Sequence, residues 1–82
     1  MTNLAQETPK PPRPIAFTST SGHIVAITYS DDDMQLFVQF KGGTYVYRQV
    51  PSDVADAITN APSAGKYLNE FIKGQYEFER IG

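Results

Sequence analysis

Residues 34–50 constrain the fold most strongly, because their pattern predicts a β-hairpin and assigns a sheet face to each side chain. Two apolar-rich runs flank Gly42–Gly43, and glycine takes positive φ in a tight turn at little steric cost. We therefore predict a two-residue turn at this pair, with Phe40 opposite Tyr45. Opposed residues share one face of a sheet. The predicted apolar face comprises Leu36, Val38, Phe40, Tyr45 and Tyr47.

The opposite face of this hairpin has mixed chemistry, with Phe37, Gln39, Val46 and Arg48 as its members. An aromatic ring and a guanidinium on an open antiparallel sheet are typical of modules that stack bases and bind phosphates. Alternatively, the segment 15–20, the C-terminal segment or a second copy of the chain covers Phe37. A homodimer through this face or through an unpaired edge strand is one form of that alternative.

Size and composition limit the functions open to the chain. Its 82 residues form at most one small domain, which has little room for an internal catalytic cavity. There is no cysteine, so disulfides and thiolate metal sites are excluded. The formal net charge is −2, and neither half is strongly basic, which argues against strong non-specific binding to nucleic acid. No stretch has the length of a membrane span, and we expect a soluble, cytoplasmic protein.

The N-terminal segment, residues 1–14, has the composition of a disordered tail. It holds four of the six prolines and, beyond Met1, only Leu4 as a sizeable aliphatic residue. Such a segment buries too little apolar area to offset its conformational entropy, so we predict a disordered or polyproline-like tail. Its PxxP spacing is that of ligands for aromatic grooves, although proline-rich tails are commonly linkers. Residues 15–82 are predicted to form a single domain.

The remaining sequence predicts strands first and helices afterwards. Residues 15–20 indicate a short strand or an extended lead-in, and residues 24–29 form a β-branched strand. A short helix begins after Pro51 and ends before Pro62. Ser63 is a good N-cap for a second helix over residues 64–73, with Gly74 at its C-terminal end. The apolar stripe of that helix comprises Tyr67, Leu68, Phe71 and Ile72.

These elements predict an α+β fold. We expect a small meander of three antiparallel strands, with two short helices on one face of the sheet. The tail over residues 75–81 alternates Tyr76, Phe78 and Arg80 with polar residues and Ile81. Such alternation is typical of a strand, so this tail is predicted to pack on the sheet or to add a further strand to it.

The order of these motifs resembles the KTSC domain family. The resemblance rests on the three strands and the glycine hairpin, and on a series of short motifs over about residues 20–81. The motifs are Tyr45-Val46-Tyr47, Val50-Pro51, Gly65-Lys66-Tyr67, Asn69, Ile72-Lys73-Gly74 and Tyr76. The family occurs as a C-terminal extension of some lysyl-tRNA synthetases and as small stand-alone proteins of bacteria and phages. It implies no catalytic motif, and its synthetase context implies RNA binding.

The best polar constellation for such a ligand lies on the second helix. Lys66, Asn69 and Lys73 are spaced at i, i+3 and i+7, and two ammonium groups with an amide on one helical face can hold phosphates. Glu70, four residues after Lys66, tempers that charge. A solvated helix face is the alternative. The full set of candidate ligand-binding residues is Phe37, Arg48, Lys66, Tyr67, Asn69, Lys73 and Tyr76.

Tyr45 and Tyr47 have two interpretations. They could serve as stacking platforms for bases. Their predicted position beside Leu36, Val38 and Phe40, on the face that the helices should cover, favours a role in the core.

The functional expectation is a non-catalytic binding module. The sequence has no nucleophilic constellation and no phosphate-cradling glycine loop, and its lone His23 makes no metal site, so we expect neither catalytic residues nor a metal or cofactor. RNA or another phosphate-bearing ligand is the leading prediction. The alternative is a protein-interaction or homo-oligomeric accessory factor, for example a phage protein that sequesters a nucleotide signal or a host protein.

Overall fold

The computed structural model describes residues 11–18 and 22–82, and these residues form an antiparallel sheet covered on one face by helices. The strands are β1 (Arg13–Pro14), β2 (Ile24–Ser30), β3 (Gln35–Phe40), β4 (Gly43–Tyr47) and β5 (Phe78–Arg80). Between β4 and β5 lie the helices α1 (Ser52–Asn60) and α2 (Ala64–Tyr67), and α2 continues directly into a π-helical turn (Leu68–Ile72). The α+β class is therefore confirmed.

The sheet has more strands than the sequence indicated. Its order is β1-β2-β3-β4-β5, so each strand pairs with its neighbour in the chain. The prediction was three strands, with the C-terminal segment either packing on the sheet or adding a further strand, and the second alternative holds, because β5 pairs with β4. The additional strand is β1, in which Arg13 pairs with Tyr29 and Pro14 with Thr28. The sheet thus has five strands within the described residues.

The N-terminal boundary of the domain also differs from the prediction. Arg13 and Pro14 belong to the sheet, so the prediction of a disordered tail is wrong for these two residues. The Arg13 guanidinium bonds the Asp31 carboxylate at 2.7 Å and the Asp56 carboxylate of α1 at 2.9 Å, and it lies 5.3 Å from the centroid of the Tyr29 ring. Tertiary ion pairs therefore hold a segment that its composition marks as unstructured. Residues 1–10 lie outside the described residues.

The hairpin turn is displaced by one residue from its predicted position. Phe40 pairs with Gly43, and the turn is centred on Lys41 and Gly42. Neither Lys41 nor Gly42 has positive φ. Gly43 does, at 158°, but it is the first residue of β4 and not part of the turn. The predicted pairing of Phe40 with Tyr45 is therefore wrong by two residues. Because side chains alternate with a period of two, this shift leaves every residue on its predicted face.

The front face of the sheet, marked by Tyr29, Leu36 and Tyr47, forms the core with both helices, as predicted. Its most deeply buried side chains include Ile58 of α1 and Leu68 of the π-helical turn. The Tyr29 hydroxyl donates to the Val50 carbonyl at 2.5 Å, which ties the sheet to the entrance of α1. The buried core comprises Ile15, Ile24, Ile27, Tyr29, Leu36, Val38, Tyr47, Val50, Ala55, Ile58, Ala64, Leu68 and Ile72.

The second helix ends differently from the prediction. Ser63 caps α2 as expected, because its hydroxyl accepts from the Lys66 N–H at 3.4 Å. The Lys73 N–H then bonds the Leu68 carbonyl at 2.7 Å, an i to i−5 contact that closes the π-helical turn. Gly74, with φ 81°, is the next residue and is the predicted terminating glycine. Phe71, assigned to the buried stripe, is instead 54% exposed.

Among the helices in the described part of the chain, none is both long and apolar enough to cross a membrane.

Candidate ligand-binding groove

The helices leave one end of the front face uncovered, next to the β3–β4 turn. A groove of about 550 Å³ opens there. Strands β3, β4 and β5 supply its floor and one wall, and the segment after the π-helical turn supplies the other. It is lined by Phe40, Gly42, Gly43, Tyr45, Tyr47, Lys73 and Phe78.

Four of the residues that line the groove are aromatic, and their rings form a continuous chain of contacts. The centroids of Phe40 and Tyr45 are 5.9 Å apart with the ring planes at 76°, an edge-to-face arrangement. Phe78 lies 5.9 Å from Tyr45 and 5.8 Å from Tyr47. Phe78 is nevertheless 57% exposed, so one of its surfaces is open to a further aromatic group.

Two cationic side chains flank these rings. The Lys73 ammonium lies 5.6 Å from the centroid of Phe40, within the range of a cation–π contact. The Arg80 guanidinium donates to the Gly42 carbonyl at 2.8 Å and lies against Gly43. A Cβ atom at Gly43 would come within 2.8 Å of Arg80 Nε. The absence of a side chain at this position therefore lets Arg80 lie across the turn end of the groove.

The charge of this groove distinguishes it from the other surface depressions of the described residues. Its one charged lining residue is Lys73, and no carboxylate lines it. A second depression contains Arg48 together with Glu77, and a third contains Lys66 together with Glu70. In those two places a carboxylate offsets the cation. The groove is thus the better site for an anionic ligand.

Tyr45 and Tyr47 have different environments. Tyr47 is buried at 2% exposure, and this burial raises the pKa of its hydroxyl above the ordinary value, so the phenol stays neutral. Tyr45 is half-buried, packs on the core and lines the groove with one surface. Tyr47 is therefore a core residue that closes the groove floor, whereas Tyr45 has a free surface toward it.

The predicted lysine face is divided in the structure. Lys73 lies at the groove, whereas Lys66 and Tyr67 line a separate depression beside Pro62. The physical reason is the π-helical turn, which adds one residue to a turn and so rotates the subsequent residues by roughly 100° about the helix axis. Asn69 lies within that turn and is exposed.

The other candidate residues lie on separate surfaces. Arg48 bonds the Glu79 carboxylate at 2.7 Å, so a neighbouring acid already offsets its charge. Phe37 is half-buried on the back face, where it lines a shallow depression with Pro12. Tyr76 packs partly against the core. The structure therefore brings only Lys73 of the predicted set to the groove.

Sequence reasoning missed the contribution of β5 to this groove. Phe78 and Arg80 pair with Tyr47 and Tyr45, so their side chains lie on the same face as those tyrosines. The alternation of Tyr76, Phe78 and Arg80 carried this signal. The alternation alone does not say which strand β5 pairs with, and the face of Phe78 and Arg80 follows only from the pairing with β4. The described residues contain no group of three or more histidine or acidic side chains that could hold a metal ion.

Comparison with known proteins shows the family to which this chain belongs. Residues 20–76 match the KTSC domain, and the chain is a member of the KTSC domain family. A crystal structure of a KTSC domain protein from Yersinia pestis superposes with a TM-score of 0.77 and 30% identity, covering 88% of this chain and 100% of that one.

Relatives at the sequence level include much longer proteins. The chain is 37% identical over 59 residues to a lysine–tRNA ligase of Nostoc punctiforme and 39% identical over 59 residues to one of Nostoc sp.. These matches cover 71% of this chain but only 10% of each ligase. A protein of Tsukamurella paurometabola is 35% identical over 57 residues, which is 68% of this chain and 85% of that protein.

Proposed function

We propose that this chain is a non-catalytic module that binds single-stranded RNA, or a nucleotide of similar chemistry, in the groove between β5 and Lys73. The observation that carries the proposal is the pairing of open aromatic rings with cations and no lining carboxylate. Unpaired bases stack on aromatic side chains, and phosphates bind ammonium and guanidinium groups.

The aromatic residues support stacking by a base. Phe78 is held in place by contacts with Tyr45 and Tyr47, yet it is 57% exposed. A ring that is already fixed loses little conformational freedom when a base stacks on it. One stacked base contributes about 1–3 kcal/mol in single-strand binding proteins. A duplex offers no such unpaired base, which favours single-stranded segments or free nucleotides.

The cations support a phosphate next to that base. Lys73 lies over Phe40 on one side, and Arg80 lies across Gly43 at the turn. Neither pairs with an aspartate or glutamate side chain in the described part of the chain, and the Arg80 Nε also donates to the Gly82 oxygen at 3.1 Å. With a net charge of −2 for the whole chain, only a local cluster of this kind provides an attractive field. We therefore expect weak, salt-sensitive binding.

The relatives are consistent with this ligand class. The matching region forms about one tenth of lysine–tRNA ligases, proteins whose name specifies an RNA substrate. A small accessory module in such a protein is suited to adding RNA contacts. We propose the same role for this module in the present chain.

The test is a fluorescence anisotropy titration of a labelled single-stranded RNA hexamer at several salt concentrations. We expect Phe78→Ala to weaken binding about tenfold, as loss of one stacked base implies. Lys73→Ala should weaken binding and reduce the magnitude of the slope of log affinity against log salt by about 0.7, the value for one phosphate of a single strand.

Two matched controls lie on α2 and the π-helical turn, outside the groove. Phe71→Ala removes a phenylalanine of similar exposure, and Lys66→Ala removes a lysine from the separate depression. Both should bind the hexamer like the parent chain, because neither residue lines the groove. Parent-like binding by both groove variants would remove the groove from the site. Failure of the parent chain to bind RNA, AMP or ATP would refute the proposal.

A further inference from the structure

A second surface, separate from the groove, lies on α2 and the π-helical turn. Phe71 stacks on Tyr67 with centroids 4.9 Å apart, and the Tyr67 hydroxyl donates to the Val54 carbonyl at 3.3 Å. Phe71 is 54% exposed although it rests on this fixed ring. The two rings form one side of a depression of about 480 Å³ that Ala61, Pro62 and Ser63 complete.

The charges beside these rings have opposite signs and lie four residues apart. Lys66 and Glu70 both line the same depression. Neither has an ion-pair partner among residues 11–18 and 22–82, even though Lys66 and Glu70 are close enough in sequence to pair on a regular α-helix. The aromatic pair therefore lies beside one cation and one anion, neither of which has an ion-pair partner in the described part of the chain.

We propose that this surface, defined by Lys66, Tyr67, Glu70 and Phe71, binds a second copy of the chain through a twofold axis. In a twofold interface the same patch meets itself, so residue i contacts j while j contacts i. An antiparallel approach of the two helices sets Lys66 of each copy against Glu70 of the other. The Phe71 rings of the two copies then pack next to the ion pairs, on the aromatic side of the patch.

Charge complementarity selects a second copy over another occupant. A row with one positive and one negative group along the helix is complementary to its own image rotated by 180°, and both ion pairs form together. An acidic ligand would meet Glu70, and a basic ligand would meet Lys66, so each is repelled on one flank. The small size of the patch predicts a weak dimer that forms at high micromolar concentration.

The test is sedimentation equilibrium of charge-reversed variants over about 10 µM to 1 mM, a range in which weak dimers are measurable. The parent chain should show a monomer–dimer equilibrium. Lys66→Glu should place two glutamates opposite each other, and Glu70→Lys should place two lysines opposite each other. Each variant alone should dimerise at least about tenfold more weakly, because like charges meet at both contacts.

A mixture of the two variants provides the decisive result. In a heterodimer of K66E with E70K, one contact keeps the original pair of Glu70 with Lys66 and the other pairs residues 66 and 70 with their signs exchanged, so the mixture should associate like the parent chain. Circular dichroism of each variant controls for folding, and Phe71→Ser should abolish association of the parent. A monomeric parent chain at about 1 mM would overturn the proposal, and so would two single variants that dimerise like the parent. A mixture no stronger than its components would equally overturn it. RNA binding in the groove is measured separately and affects none of these outcomes.

Discussion

The hydrogen bond between the Tyr29 hydroxyl and the Val50 carbonyl provides a direct test of how this small core is stabilised. Tyr29 is 1% exposed and Val50 is 0% exposed, and the two oxygens are 2.5 Å apart. Tyr29→Phe removes only the hydroxyl and keeps the ring, so the packing volume barely changes. The Val50 carbonyl then loses its donor in a site without solvent access.

The expected loss of stability can be worked out from this geometry. A typical hydrogen bond contributes about 1 kcal/mol net, whereas a buried carbonyl left unsatisfied costs about 1–3 kcal/mol. We expect Tyr29→Phe to lower the free energy of unfolding by about 2 kcal/mol. For a domain of this size that change lowers Tm by roughly 10 °C.

Urea denaturation monitored by circular dichroism is the appropriate assay. The midpoint should fall by about 1–2 M while the slope m stays constant, since the surface exposed on unfolding is unchanged. Tyr67→Phe is the matched control, because its hydroxyl makes a longer bond of 3.3 Å at a half-buried site. It should cost no more than about 0.5 kcal/mol. If the two variants lost equal free energy of unfolding, the burial of the Tyr29 hydrogen bond would not be the cause of its contribution to stability.

Three further experiments probe other parts of the molecule. Burial raises the pKa of Tyr29 and Tyr47 above the ordinary value of 10.0. Their contribution to stability is therefore complete below pH 10 and is lost at higher pH. Urea midpoints measured from about pH 7 to 11 should fall less steeply for Tyr47→Phe than for the parent. Gly43→Ala should lower the free energy of unfolding by at least about 1 kcal/mol in the same assay, because its Cβ would lie 2.8 Å from Arg80. The control Gly42→Ala should be neutral, because its Cβ has no neighbour within 4 Å. Equal stabilities of the two variants would contradict this reasoning. Arg13→Ala should cost about 1 kcal/mol at low salt and less at about 1 M salt, since its two ion pairs are partly exposed; a salt-independent loss would show that packing, not charge, holds β1.

The sequence predicted the faces of the sheet better than its register. The apolar face from Leu36 to Tyr47 was assigned correctly although the turn lies at Lys41–Gly42, because a shift of two residues preserves side-chain alternation. The glycine pair was misleading, since Gly43 makes room for Arg80 instead of turning the chain. That requirement arises from a strand more than thirty residues away, which no local pattern contains.

Other features depend on tertiary contacts that a single sequence does not display. Strand β1 has two residues, one of them proline, and Arg13 is held by ion pairs with Asp31 and Asp56. The π-helical turn has no recognisable local signal, and it separated Lys73 from Lys66. The sequence therefore suggested the chemistry of the candidate site, a lysine with aromatic groups, whereas the location of that site required the fold.

The strand order has a consequence for how the groove comes into existence during folding. Pairing along β1 to β4 joins segments adjacent in the chain, so these contacts close short loops and should form early. Pairing of β5 with β4 spans both helices and carries the larger loop-closure entropy. Phe78 and Arg80 thus arrive last, and the amide of Ile81, which bonds the Thr44 carbonyl at 2.8 Å, should exchange with deuterium sooner than amides of β3. A ligand bound between Phe78 and Lys73 would slow that exchange. Separation of β5 from β4 therefore both takes the groove apart and exposes the Ile81 amide.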